Sequence, residues 1–229
     1  MQDDPADRRN FYGRIRGKTM RASQKGYIAD DLGRWRMSGV HRDENPERRR
    51  IDAATLFGGR PVWLEIGFGG GEHLVHMAAL NPSVGIIGCE VFVNGVAMLL
   101  GKMRDAGAAN LALYDGDVRD LLEVLPDASV AKAFLNYPDP WPKRRHHRRR
   151  FVTQDHLSML HRVMAPGAEF RVATDIPDYV RQTLTEVPKA RFELTAQGGT
   201  AWDDWSSTRY EQKALREGRV PHYMTFRRG

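Results

Sequence analysis

Apolar residues in this chain fall into short continuous runs alternating with longer stretches apolar on one face only, and the alternation starts at Pro61. Val62-Trp63-Leu64-Glu65-Ile66-Gly67 reads as a buried strand, followed by a glycine-rich turn and a helix from about Gly71 to Leu80. The unit then repeats. Strands are predicted at Val84–Glu90, Leu111–Tyr114, Val130–Leu135 and Phe170–Ala173, the last after a Pro166-Gly167 turn. Helices are predicted at Phe92–Ala106, Val118–Leu125, Thr153–Met164 and Asp178–Val187. Phe192–Thr195 and Tyr223–Arg227 are candidate late strands. Strands alternating with helices imply an α/β fold: a doubly wound, mostly parallel seven-stranded sheet with helices on both faces. Residues 1–50 sustain no apolar periodicity. They are expected to form a basic, flexible N-terminal arm, with residues 51–229 as one domain.

Composition narrows the partners. The formal charge is +6 and the pI about 9.6, which favours an anionic partner, nucleic acid ahead of membrane. No apolar run approaches the ~18 residues of a membrane span, and MQDDPADRRN has no secretory h-region. The single Cys89 excludes an internal disulfide and reads as a reduced thiol in a strand, so a cytoplasmic protein is expected.

In doubly wound sheets ligands bind beyond the carboxyl ends of the strands, so polar residues there should converge on one crevice. The first strand leads into Glu65-Ile66-Gly67-Phe68-Gly69-Gly70-Gly71-Glu72, where Gly67 and Gly69 let the backbone approach a ligand. The spacing is G-x-G-x-G. A dinucleotide fingerprint needs its third glycine where Glu72 stands, and no G-K-[ST] follows, so neither a dinucleotide oxidoreductase nor a P-loop is indicated. Glu72 at a helix start also repels a pyrophosphate. Glu90 ends the second strand and is placed to accept ribose hydroxyls. Asp117 follows the third and is either a helix N-cap or a contact to an adenine amino group. A ribose, an adenine, no phosphate and an acidic rim describe S-adenosylmethionine, whose sulfonium suits carboxylates.

After the fourth strand comes Asn136-Tyr137-Pro138-Asp139-Pro140-Trp141-Pro142, then six Lys/Arg and two His within Lys143–Arg150. The prolines fix their own φ and are expected to push Tyr137, Asp139 and Trp141 to extended geometry, presenting Asp139 in a set orientation beside a cationic ridge. Trp141 is either a stacking surface for a base or a ring closing the turn. His146 and His147 lack a carboxylate or thiol at ligand spacing, so no metal is expected. Thr208 and Glu211 have capping-box spacing, and Asp175 precedes Pro177 as a helix cap would.

EIGFGGGEHL resembles the first motif of class I methyltransferases. NYPDPWPKRRHHRRRF is more specific and resembles the signature of the bacterial tRNA (guanine-N7)-methyltransferase family. WSSTRYEQKALREGRVPHY is similar to that family's closing T-x-[FY]-E motif, with Arg209-Tyr210 where Lys-Phe is frequent. The resemblance spans about Val62 to Arg227. It implies a Rossmann-like fold and methyl transfer from S-adenosylmethionine to N7 of a variable-loop guanine in tRNA. It further implies that Glu65, Glu90, Asp117 and Asp139 line the cofactor and reaction site, to which Gly67, Gly69 and Asn136 are added. Lys143, Asp175, Thr208, Arg209, Tyr210 and Glu211 are implied to hold substrate, and Arg145, His146, His147, Arg148, Arg149 and Arg150 to touch RNA. Asp139 is the candidate catalytic residue, stabilising charge on the guanine and accepting from its N1 and N2. The rival readings are a non-catalytic RNA-binding protein on the same fold and a methyltransferase acting on another RNA. Monomer and homodimer both remain open.

Overall fold

The computed structural model describes residue 13 and residues 15–229. Among the described residues seven strands form one sheet: β1 Val62–Ile66, β2 Gly85–Cys89, β3 Leu111–Tyr114, β4 Val130–Asn136, β5 Met164–Thr174, β6 Phe192–Gly198 and β7 His222–Arg228. Their spatial order is β3-β2-β1-β4-β5-β7-β6, and only β7 runs antiparallel to its neighbours. The central strands are buried on both sides, which is why they read as nearly continuous apolar runs.

The helices are α1 Ala22–Asp30, α2 Leu32–Trp35, α3 Glu72–Leu80, α4 Val93–Ala106, α5 Val118–Val124, α6 Gln154–Val163, α7 Pro177–Lys189 and α8 Arg209–Arg216. On one face Leu74 and Met77 of α3 pack with Val96, Leu99, Leu100 and Met103 of α4. On the other, Leu121 and Leu122 of α5, Leu157 and Leu160 of α6, and Tyr179 and Val187 of α7 cover β1, β4 and β5. Burying each such aliphatic side chain stabilises by about 1.5–3 kcal/mol, so both faces contribute.

Two elements differ from expectation. The Pro166-Gly167 turn does not precede β5 but interrupts it. Pairing with β4 runs from Met164 opposite Val130 to Glu169 opposite Lys132, with a register shift between. Pro166 offers no N–H and Gly167 takes φ 77°, so the strand bulges without ending. The second difference is the arm. From residue 22 to 50 the chain lies against the domain. Helix α1 packs on α4, with Tyr27 and Ile28 set against its buried face. Arg36 bridges Leu113 along the β3 edge, Met37 N–H donates to the Leu113 carbonyl at 2.8 Å, and Met37 and Val40 join the core. Single apolar residues in a charged stretch carry no periodicity, so this packing left no pattern to read. Phe11 and Tyr12, expected in a basic arm, lie outside the described residues. Among the described residues no helix is long and apolar enough to cross a membrane.

Candidate active site

The carboxyl ends of β1, β2, β3 and β4 open onto one cavity of about 460 Å³, within the range of small-molecule sites. Its floor is the glycine turn. Gly69 takes φ 57°, and a Cβ there would sit 2.9 Å from the Tyr210 ring. A Cβ on Gly95 of α4 would lie 2.2 Å from the Gly69 carbonyl oxygen, so helix and loop touch backbone to backbone. Glu90 is held in place by that loop: one carboxylate oxygen accepts from Gly69 N–H at 2.7 Å and the other from Phe92 N–H at 2.9 Å. Burial raises its carboxyl above the ordinary value, the two donors pull it back, and the Asp139 charge adds to the rise. Cys89, just before it, lines the same wall and donates its S–H to the Gly116 carbonyl at 3.2 Å. Gly67 lines the cavity with φ 72°.

Asp117 caps α5, accepting from Arg119 N–H at 2.9 Å, and it also lines the cavity. The Arg119 guanidinium grips the carboxylate, with Nε 3.0 and 2.9 Å from its two oxygens. Arg119 and His156 line the cavity and were not singled out from sequence; only the D-x-R spacing at a helix start hinted at the first. His156 Nδ1–H donates to the Phe151 carbonyl at 3.0 Å, and burial lowers the imidazole pKa, keeping the ring neutral.

Glu65 and Asn136 stand behind this wall, not on it. Both are buried. Glu65 pairs with His73 Nδ1 at 2.8 Å, and Asn136 Nδ2 lies 3.2 Å from the same nitrogen. His73 is itself held between the rings of Phe134 and Trp205, at 4.9 and 5.0 Å. Nothing in the sequence linked His73 to Glu65.

The proline-rich turn departs from extended geometry. Tyr137 and Trp141 take φ 48° and 39°, in the left-handed region. A following proline disfavours the right-handed helical region; here the chain answers with positive φ, a strained state that surrounding contacts must hold. Tyr137 N–H donates to the Ala173 carbonyl of β5 at 2.7 Å. Arg150 holds the other end, with Nε 2.9 Å from the Pro140 carbonyl and Nη2 3.4 Å from that of Trp141. Asp139, between them, is on the cavity wall at its open side, and surrounding protein raises its carboxyl above the usual value by desolvation.

Arg150 therefore departs from the expected RNA-facing ridge. It is 1% exposed, its Nη1 donates to Gln182 at 2.7 Å, its Nη2 to Asp178 at 2.8 Å, and its guanidinium lies over Tyr179. The other residues of the run behave as a surface. Lys143, Arg145 and Arg148 are exposed, and residues Arg144–Arg149 form a 3-10 helix. Arg148 and Arg149 line the cavity, and Arg149 stacks on Trp141, itself half-buried on the wall. His146 sets its ring edge-on to Trp141 at 5.9 Å, and desolvation together with the neighbouring cations lowers its pKa. His147 pairs with Asp178 at 3.1 Å.

The C-terminal motif closes the opposite side. Thr208 caps α8, accepting from Glu211 N–H at 3.2 Å, but Glu211 does not complete a capping box. It is buried, and its carboxylate accepts from Trp205 Nε1 at 2.9 Å and from the Tyr223 hydroxyl. Arg209 pairs with Glu72 at 3.1 Å and lies across Gly70, while Tyr210 reaches the cavity over Gly69. Asp175 pairs with Arg219 at 2.8 Å. Thus Gly67, Gly69, Glu90, Asp117, Asp139, Arg148, Arg149 and Tyr210 share one cavity. Glu65, Asn136, Thr208 and Glu211 are buried around it, and Lys143 and Arg145 lie on the outer surface.

This is the fold of a class I methyltransferase. The chain superposes on the crystal structure of the 16S rRNA methyltransferase KamB with a TM-score of 0.59, covering 79% of this chain and 95% of that one at 19% identity. Residues 59–224 match the family described as putative methyltransferase. The tRNA (guanine-N(7)-)-methyltransferase of Cereibacter sphaeroides is 74% identical over 226 residues, covering 99% of this chain and 93% of the relative. That of Paracoccus denitrificans is 70% identical over 227 residues, covering 99% and 97%. The chain belongs to the tRNA (guanine-N7)-methyltransferase family.

Proposed function

We propose that this protein transfers the methyl group of S-adenosylmethionine to N7 of a variable-loop guanine in tRNA, in the cytoplasm where tRNA is found. The observation that carries the reading is the shared cavity: a glycine floor, Glu90 and Asp117 at one end, and Asp139 with Arg148 and Arg149 at the other. The residues fit the cofactor. Gly67 and Gly69 bring bare backbone to the cavity wall, Glu90 is pre-held by two backbone donors, and the acidic rim suits a cation. When bound, S-adenosylmethionine supplies an electrophilic methyl; the N7 lone pair forms the new C–N bond as the S–CH3 bond breaks, leaving S-adenosylhomocysteine and a cationic guanine.

The chain's own residues do the rest. Glu90 accepts from the ribose, and Asp117, gripped by Arg119, faces the adenine end. Guanine N7 bears no proton, so no base is needed to create the nucleophile. Asp139 offers a fixed carboxylate to the positive charge growing on the ring. Trp141 and Tyr137 on the wall exclude water and offer ring surface to a base brought out of its stack. Arg145, Arg148 and Arg149 meet the sugar-phosphate backbone, and residues 15–18, docked on Val93 and Asn94 of α4, place the arm beside the same opening.

Incubation with labelled S-adenosylmethionine and unmodified tRNA, followed by borohydride and aniline, is expected to cleave at one variable-loop position. Absence of that cleavage with folded, cofactor-binding protein would return the chain to a non-catalytic RNA binder, and cleavage elsewhere to another RNA site. Arg148→Ala with Arg149→Ala is expected to weaken tRNA binding and flatten the slope of log K against log salt by up to about one unit per lost phosphate contact. An unchanged slope in binding measured from low to moderate salt removes the ridge from the interface. Cofactor affinity has a pH signature as well. The ionised Glu90 accepts hydroxyl donors and the protonated form accepts fewer, so affinity is expected to fall on acidification through a midpoint above the ordinary glutamate value. Calorimetric titration across pH checks this, and Glu90→Gln should abolish the dependence.

A further inference from the structure

His156, the third residue of α6, lines the cavity with Asp117, Arg119 and Phe151, and the methyl-transfer step leaves it unused. Helices α5 and α6 pack side by side, so the charges of Arg119 and Asp117 both reach the imidazole. The ring is fixed in plane and in tautomer. It stacks on Phe151 with centroids 5.5 Å apart and 25° between the planes. A carbonyl oxygen only accepts, so Nδ1, 3.0 Å from the Phe151 carbonyl, carries the proton. In a neutral imidazole Nε2 is then a bare lone pair. It finds no hydrogen-bond partner among the described residues and is not sealed in protein. Asp117, by contrast, is largely occupied. Its Oδ1 accepts from the Arg119 N–H at 2.9 Å and from Arg119 Nε at 3.0 Å; its Oδ2 accepts from Nε at 2.9 Å and from Nη2. One residue thus bears on both oxygens of a carboxylate that has only about four acceptor sites. The unmet acceptor at this end of the cavity is His156 Nε2.

We propose that His156 selects the adenine of the cofactor, Nε2 accepting from the exocyclic amino group while Arg119 holds Asp117 at the edge of the same base. The inference rests on the S-adenosylmethionine reading above and names the residue that tells adenine from other purines. Adenine carries an amino donor at position 6 and a bare N1. Hypoxanthine carries a carbonyl at position 6 and a proton on N1. An imidazole locked as an acceptor complements the first and sets lone pair against lone pair with the second. A site built to make a hydrogen bond rejects the analogue that lacks it, because its own polar atom is left unpaired. Phe151 and the Nδ1–H bond keep the ring from turning over to present a donor, so the preference is built into the wall.

The test measures binding of S-adenosylhomocysteine and S-inosylhomocysteine, which differ only at position 6 and N1, by calorimetry without RNA. The wild-type protein is expected to prefer the adenosyl ligand by about tenfold or more, the scale of one polar atom left unpaired. His156→Phe keeps an aromatic ring against Phe151 and removes the acceptor. It should lose about tenfold on the adenosyl ligand and hold the inosyl ligand within about twofold, so that the two affinities converge. His156→Gln can present an amide oxygen or an amide NH2, and should bind both ligands alike and more tightly than His156→Phe does. Arg119→Ala releases the Asp117 oxygens; added to His156→Phe, it should restore part of the adenosyl preference. In the unaltered protein, nitrogen NMR of isotope-labelled histidine should show the Nε2 resonance moving as an accepting nitrogen does when the adenosyl ligand saturates the site. An unmoved resonance overturns the inference even if no variant folds. If His156→Phe weakens both ligands equally, the ring only packs the wall; if it keeps the wild-type preference, Asp117 makes the selection; either result overturns the inference. A wild-type protein that binds neither S-adenosylhomocysteine nor S-adenosylmethionine overturns the underlying cofactor reading instead.

Discussion

Asp139→Ala is expected to cut turnover by about a hundredfold or more, the scale of losing one charge stabiliser in an active site, with cofactor affinity within a few-fold of wild type. The separation follows from where Asp139 sits. It faces the open side of the cavity, while the Glu90 carboxylate accepts from the Gly69 and Phe92 N–H groups and makes no hydrogen bond to Asp139. The Asp139 charge also helps raise the Glu90 carboxyl, so its removal makes Glu90 easier to ionise and does not weaken the cofactor end. Single-turnover rates with enzyme in excess, beside a cofactor titration without RNA, measure the two effects separately. Asp139→Asn keeps the shape and removes the charge, and should lose nearly as much. Turnover within threefold of wild type in either variant would take Asp139 out of the mechanism.

Arg150→Ala is expected to do a different kind of damage. The side chain is fully buried and bridges the Pro140 and Trp141 carbonyls to Gln182 and Asp178 on α7. Removing it leaves buried acceptors without their donor. Breaking a fully buried pair costs about 3–5 kcal/mol; Asp178 is 41% exposed and recovers water, which brings the loss to about 2–3 kcal/mol. For a domain of this size that is a fall in Tm of about 4–12 °C. The strained turn also loses the contact that holds its far end, so turnover should drop by about tenfold even below the new Tm. Thermal unfolding followed by circular dichroism, with activity assayed well below the transition, checks both parts. A flattened salt dependence of tRNA binding with unchanged Tm would instead put Arg150 back on the RNA surface beside Arg148.

Why Arg150 was misplaced from sequence is instructive. In a run of like cations nothing local marks the one that turns inward. That choice is made by Asp178 and Gln182, 28 and 32 residues away. The same holds for Glu65, whose partner His73 is the second residue of the next helix, and for Glu211, whose spacing from Thr208 fits a cap while its carboxylate answers to Trp205 and Tyr223. By contrast Gly69, Glu90, Asp117 and Asp139 were legible because topology alone places them: each follows a parallel strand, and such strand ends converge. The strands were legible because a strand covered on both faces is apolar at nearly every position. Residues 22–50 were not, since the side chains that seat them are few and irregularly spaced.

Cys89 gives the crevice a reporter of its own. It is the only sulfhydryl in the chain, it forms part of the wall beside Glu90, and burial, then the charges of Glu90, Asp117, Asp120 and Asp115, push its thiol well above the usual value. Only the thiolate reacts readily with alkylating agents, so chemical footprinting at this one sulfur tracks moments when the wall parts and water reaches it. Breathing of the cavity can thus be timed in the native polypeptide, without an engineered label.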